Sequence, residues 1–103
     1  MEFYPRLYVG KKVKNPTKLK AKLAKHAKLS DAYVITLSKN QHDQLEIQKA
    51  GYLAQKYYRL NPPYVIGLAT DYDEAIEIVQ QIVQETYAAQ GNCKLKEYLA
   101  CYM

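Results

Sequence analysis

Two rhythms of apolar and polar positions run along this chain. Three short segments, RLYVGKKV, DAYVITLS and YVIGLA, are rich in β-branched and aromatic residues, and between them apolar side chains recur at three- and four-residue steps. The first rhythm predicts strands and the second predicts helices with one buried face. RLYVGKKV ends in lysines and reads as a strand near an edge of a sheet. DAYVITLS and YVIGLA are apolar almost throughout, the composition of strands covered on both faces, and DAYVITLS is placed centrally.

The intervening segments carry helix punctuation. After a turn at Asn15-Pro16-Thr17, residues 17–28 (TKLKAKLAKHAK) put Leu19, Leu23, His26 and Ala27 on one stripe and Lys18, Lys22 and Lys25 on the opposite face, the pattern of a basic amphipathic helix. Asn40, with Asp43 three residues later, reads as the cap of a long helix over 41–60, QHDQLEIQKAGYLAQKYYRL, in which apolar side chains spread over much of the circumference and Gly51 weakens the middle. Asn61-Pro62-Pro63 ends it, because a residue before proline avoids helical angles and proline lacks the donor a helix needs. Asp71 and Glu74 have capping-box spacing ahead of DEAIEIVQQIVQETYAAQ, the clearest helix of the chain. Gly91 suits the left-handed position after that helix, and Asn92 starts a short last one.

The order βαβαβαα predicts one α/β domain over residues 1–103. Strands alternating with helices imply parallel pairing, so the expected architecture has three layers: a small, mostly parallel three-stranded sheet with helices on both faces. A chain of 103 residues buries roughly 65% of the surface its unfolded form exposes, enough for one modest core.

Charge adds an asymmetry. Residues 11–28 hold eight lysines and no acid, whereas residues 71–85 hold five acids and no base, within a net charge of +5. Such a layout favours an acidic partner, and Lys18, Lys22, Lys25 and Lys28 form a candidate polyanion surface. Two arginines against thirteen lysines disfavour nucleic acid, since bidentate phosphate and base recognition uses the guanidinium fork. No apolar run approaches the roughly 20 residues of a membrane helix, and the first ten residues, MEFYPRLYVG, lack the basic and apolar regions of a secretory signal. Cys93 and Cys101, eight residues apart on one predicted helix, lie about 12 Å apart along its axis and read as free thiols. These features predict a cytoplasmic protein with no membrane partner.

Candidate chemistry follows from the expected topology. Carboxyl ends of parallel strands share a rim where helices also begin, so Lys11, Lys12, Ser38, Lys39, Asn40, Thr70 and Asp71 are the candidate ligand-binding residues, suited to a small anionic or phosphorylated ligand. Tyr57 and Tyr58 fall at the opposite rim, and with Tyr52, Tyr98 and Tyr102 they are candidates for a subunit contact. Tyr52 and Lys56 match a Tyr-x-x-x-Lys spacing known from dehydrogenases, but four glycines supply neither a dinucleotide fingerprint nor a P-loop, so the match is accidental. His26 and His42 are isolated, which predicts no metal and no cofactor. Ser38 and Cys93 lack a paired base with a third residue to orient it, and no catalytic residue is assigned. The expected function is a small non-catalytic binding or interaction module that self-associates as a homodimer. Its alternatives are a binder of, or an enzyme acting on, a small anion at the strand ends, and weak polyanion or nucleic-acid binding through residues 17–28.

Overall fold

The computed structural model describes residues 1–25, 32–40 and 42–103. Its elements follow in the order β1 (Glu2–Val9), α1 (Pro16–Ala24), β2 (Tyr33–Leu37), β3 (Leu45–Lys49), a 3-10 helix (Ala50–Ala54), α2 (Lys56–Leu60), β4 (Tyr64–Ala69), α3 (Tyr72–Gln90) and α4 (Leu95–Ala100). The four strands form one sheet in the order β1-β4-β2-β3. β1 and β4 are parallel, whereas β2 runs antiparallel to both of its neighbours, β4 and β3. The expected small, mostly parallel three-stranded sheet is thus corrected to a four-stranded mixed sheet, while the α/β class stands.

The correction has a local cause. Residues 42–60 do not form a long helix. Asn40 Oδ1 accepts from the backbone N–H groups of His42, at 2.9 Å, and Asp43, at 2.7 Å, while its Nδ2 donates to Asp43 at 3.1 Å. The Asn-to-Asp spacing that suggests a helix cap instead closes a turn, because asparagine can satisfy backbone donors two and three residues ahead in either setting. The Ser38 N–H then donates to the Gln44 carbonyl, and LEIQK pairs with β2 in register Leu37↔Leu45 and Ile35↔Ile47. The sequence Leu-Glu-Ile-Gln therefore alternates, with Leu45 and Ile47 packed into a core and Glu46 and Gln48 on the opposite face. The hairpin sets β3 antiparallel to β2, and the crossover through the 3-10 helix and α2 brings the chain back to start β4 in the direction of β3, so β2 is antiparallel to β4 as well.

Each face of the sheet carries its own core. On one, α3 and α4 bring Ile78, Ile82, Leu95 and Leu99 onto Tyr4, Ile35 and Ile66. On the other, Leu23 of α1 with Ala50 and Leu53 of the 3-10 helix covers Val34, Val65 and Leu68. A fully buried aliphatic side chain such as Ile82 or Leu99 contributes about 1.5–3 kcal/mol relative to an exposed one. A register shift at Ile66 lets β4 and β2 stay paired while Ile66 and Gly67 both approach α3. A Cβ on Gly67 would lie 3.1 Å from Ile35 Cδ1 and 3.3 Å from Ile78 Cγ2, so α3 sits close against the strand there. The Asp71 side chain caps α3 by accepting from the Glu74 N–H, and Gly91, with φ of 71°, ends it in the left-handed region.

β1 is tied across to the helical layer by two phenols. Tyr4 donates to the Leu99 carbonyl at 3.1 Å, and Tyr8 donates to Glu85 at 2.7 Å. Burial pushes the Tyr8 phenol well above the ordinary tyrosine value, and the Glu85 carboxylate raises it further. On the other face, α1 begins with Asn15 accepting from the Lys18 N–H and Pro16 at its first turn, and is described to Ala24. The expected continuation to Lys28, with His26 and Ala27, lies outside the described residues. Among the described residues, no helix is long and apolar enough to cross a membrane.

Candidate functional site

Strand direction decides which side chains can meet. β1 and β4 end at one rim of the sheet, while β2 ends at the other, opposite the start of β4. The seven residues expected at one rim are therefore divided, with Lys11, Lys12, Thr70 and Asp71 at one end and Ser38, Lys39 and Asn40 at the other. The two groups cannot bind one small ligand together.

At the first rim the molecule supplies its own anion. Glu74, only 4% exposed, accepts from the Lys12 N–H and the Thr70 N–H at 2.8 Å each, and from the Thr70 hydroxyl at 3.2 Å. These are the donors an anionic ligand would need, and they are committed to a carboxylate. Gly10 makes room for it, since a Cβ there would sit 2.2 Å from Glu74 Cδ. Lys12 Nζ donates to Asp71 at 3.2 Å, the one ion pair within 4.0 Å among the described residues. Asp71 is held below the ordinary aspartate value, first by the Glu74 N–H bonded to it and then by Lys12. Its contribution to stability is accordingly present above the unfolded-state value of 3.8 and is lost as pH falls through the lower folded-state value. A carboxyl-resolved NMR titration should find Asp71 titrating below the ordinary aspartate value of 3.8; an unshifted midpoint would contradict the cap and ion pair.

The second rim holds a pocket of roughly 230 Å³. Its floor is the face of the β2–β3 hairpin opposite α3, where Thr36, Glu46 and Gln48 stand side by side. Tyr57 and Tyr58 of α2 form a wall, their rings edge to face with centroids 5.1 Å apart. Lys39, Asn40 and Pro63 complete the rim. Gln48 Nε2 donates to Glu46 at 3.0 Å and more weakly to Thr36 Oγ1 at 3.4 Å, while Ser38 Oγ reaches Glu46 at 3.5 Å. Because a carboxylate only accepts, the amide nitrogen of Gln48 must face Glu46, and its oxygen turns away. That oxygen is buried without a hydrogen-bond partner among the described residues. Lys39 Nζ donates to the Asn61 carbonyl at 3.1 Å, and no cationic side chain lies within 4.0 Å of Glu46 among the described residues. The expectation that Tyr57 and Tyr58 stand at the rim opposite Lys39 is thereby corrected: reversal of β2 puts all three around one pocket.

A tie from the far side steadies the hairpin. Gln44 Nε2 donates to the Cys93 carbonyl at 2.9 Å, and its Oε1 accepts from the Leu95 N–H. Lys96 Nζ donates to the Asn40 carbonyl at 2.9 Å. The turn that carries Lys39 and Asn40 is thus anchored to the start of α4.

No known family, characterised protein or solved structure matches this chain. Its chemistry must be read from its own side chains. Lys18 and Lys22 of α1 and Lys25 just beyond it are exposed, without an ion-pair partner among the described residues. Lys28 lies outside the described residues. Tyr52, Tyr57 and Tyr58 belong to the segment on the α1 face of the sheet, whereas Tyr98 and Tyr102 belong to the α4 side, where Arg6 stacks over Tyr102 at 3.8 Å. The five tyrosines therefore do not form one patch. Cys93 and Cys101 are exposed free thiols. Among the described residues, no three His, Cys, Asp or Glu side chains group as metal ligands. Glu46 and Gln48 escape sequence reasoning because they sit inside an expected helix; their signal is the two-residue alternation of Leu-Glu-Ile-Gln.

Proposed function

We propose that this chain is a small non-catalytic binding module whose binding site is the pocket between the β2–β3 hairpin and α2. One observation carries the reading: the Glu46 carboxylate, half-buried in a recess walled by two tyrosines, has no cationic partner among the described residues. A recessed charge without a counter-charge is costly unless something else completes it. The polar groups of the floor are held by one another and the turn is anchored to α4, so the site is preformed. Its volume, below the roughly 300–1,000 Å³ of sites for drug-sized molecules, suits a ligand or side chain of a few heavy atoms. The reading is tested by amide chemical-shift mapping against a fragment set of amines, carboxylates, sugars and phosphates. Binders should move the amides of residues 36–40, 46–48 and 57–60. A set that leaves them unmoved, or acts only elsewhere, rules this site out.

Self-association as a homodimer is a second part of the proposal, supported by Tyr52, Tyr57 and Leu60, which leave 50%, 59% and 71% of their surface exposed within one short segment. Sedimentation equilibrium of the Leu60→Lys variant checks it: the native chain should associate at micromolar concentration and the variant should not. A native chain that stays monomeric contradicts this part. The two exposed free thiols support placement in the reducing cytoplasm.

A further inference from the structure

We infer that the pocket takes a protonated alkyl amine or a guanidinium group, a donor-rich cation on a short stem. The inference rests on the assignment of the pocket as the binding site and adds the chemistry of its occupant.

The floor presents a carboxylate. Glu46 accepts from the Gln48 amide at 3.0 Å and from the Ser38 hydroxyl at 3.5 Å, neither of which neutralises its charge, and because Thr36 and Gln48 Oε1 are fully buried, Glu46 is the floor acceptor that an occupant can reach. An ammonium brings three donors and no acceptor, and a guanidinium brings five, so either complements the Glu46 carboxylate, beside which a carboxylate or phosphate would meet like charge. Tyr57 and Tyr58 border the same pocket, packed edge to face, and aromatic surface beside a carboxylate suits a cation. Lys39 is not ion-paired with Glu46 among the described residues, and its ammonium donates to the Asn61 carbonyl at 3.1 Å. It places one positive charge at the rim, which opposes a cation and opposes one with two charged ends most. The net charge of +5 opposes a cation at long range, but the Debye length of about 8 Å at 0.15 M salt confines the contest to the pocket itself.

Two sources carry this chemistry, a free small amine and a lysine or arginine side chain of another protein. Calorimetric and amide-shift titrations of the whole chain at 0.15 M salt, with n-butylammonium, n-butylguanidinium, neutral n-butanol and anionic butyrate as probes, test the inference. The two cations should bind and move the amides around residues 36, 46, 48 and 58, with butanol and butyrate at least tenfold weaker. Glu46→Gln, which keeps shape and removes charge, should weaken the cations about 10–100-fold and leave butanol unchanged. Tyr57→Leu or Tyr58→Leu should weaken them about 2–5-fold, and this second set of variants keeps the test valid if Glu46→Gln folds poorly. An N-acetyl-arginine-N-methylamide arm separates the sources: tighter binding than n-butylguanidinium points to a protein side chain, and equal or weaker binding points to a free amine. Butyrate or butanol binding in the pocket in preference to the cations overturns the cation while sparing the site. Cation affinity unmoved by Glu46→Gln also overturns it. No probe in the pocket overturns both.

Discussion

Gly10→Ala is expected to lower stability by about 2–3 kcal/mol in the native chain and to have almost no effect once Glu74 is also alanine. The backbone of Gly10 does not require glycine, because the only positive φ among the described glycines is at Gly91. What excludes a Cβ is the Glu74 carboxyl, 2.2 Å from where it would stand. A glutamate tip ordinarily moves aside at little cost. Here it holds the Lys12 and Thr70 amides, and moving it leaves those donors without an acceptor. Glu74→Ala alone should cost about 2–4 kcal/mol for the same reason. The double variant should then match Glu74→Ala, so that the coupling energy equals the whole cost of Gly10→Ala. Urea denaturation of the four proteins measures this; additive losses would show that Glu74 does not occupy the rim as described.

Leu23→Ala should cost about 2–5 kcal/mol, and hydrogen exchange should show its damage concentrated in α1. α1 has nine residues, fewer than the 12–15 at which even helix-prone peptides become marginally helical in water. Its face is lysine-rich, and Leu23 is its one buried residue, at 1% exposure, seated among Val34, Val65 and Leu53. Removing that side chain leaves a cavity and leaves the partly buried Leu19 to hold the helix to that core. Protection in α3, packed on the opposite face through Ile78 and Ile82, should fall much less. Equal loss in both helices would mean that the two faces fold as one unit.

The parts of this fold legible in the sequence are those where local and tertiary preferences agree. YVIGLA and YVITL are strands because β-branched and aromatic residues are buried from both sides, and residues 72–90 form a helix because cap, stripe and terminal glycine coincide. β3 was hidden for the opposite reason. Leu, Glu, Gln and Lys favour helices, Asn40 looks like a cap, and only pairing with β2 draws LEIQK into a strand. One unseen strand reversed β2, and every expectation about which loops share a rim changed with it. Lys39 moved away from Thr70 and toward Tyr57 and Tyr58, and Glu46 passed from a helix interior to the floor of a pocket. The spread of apolar residues around the expected helix over 41–60, without a clean stripe, was the available warning.

The proposed binding site exists only if residues 42–49 turn back along β2 and lay Glu46 and Gln48 beneath α2. Nuclear Overhauser spectroscopy of the labelled chain addresses this directly. Facing α-protons should cross-relax between residues 33–37 and 45–49 and between 33–36 and 65–69, and the ring protons of Tyr58 should see the Thr36 or Gln48 side chain. A continuous ladder of helical i,i+3 contacts through residues 42–60, with no α-proton contact between residues 45–49 and 33–37, would remove the pocket and the account built on it.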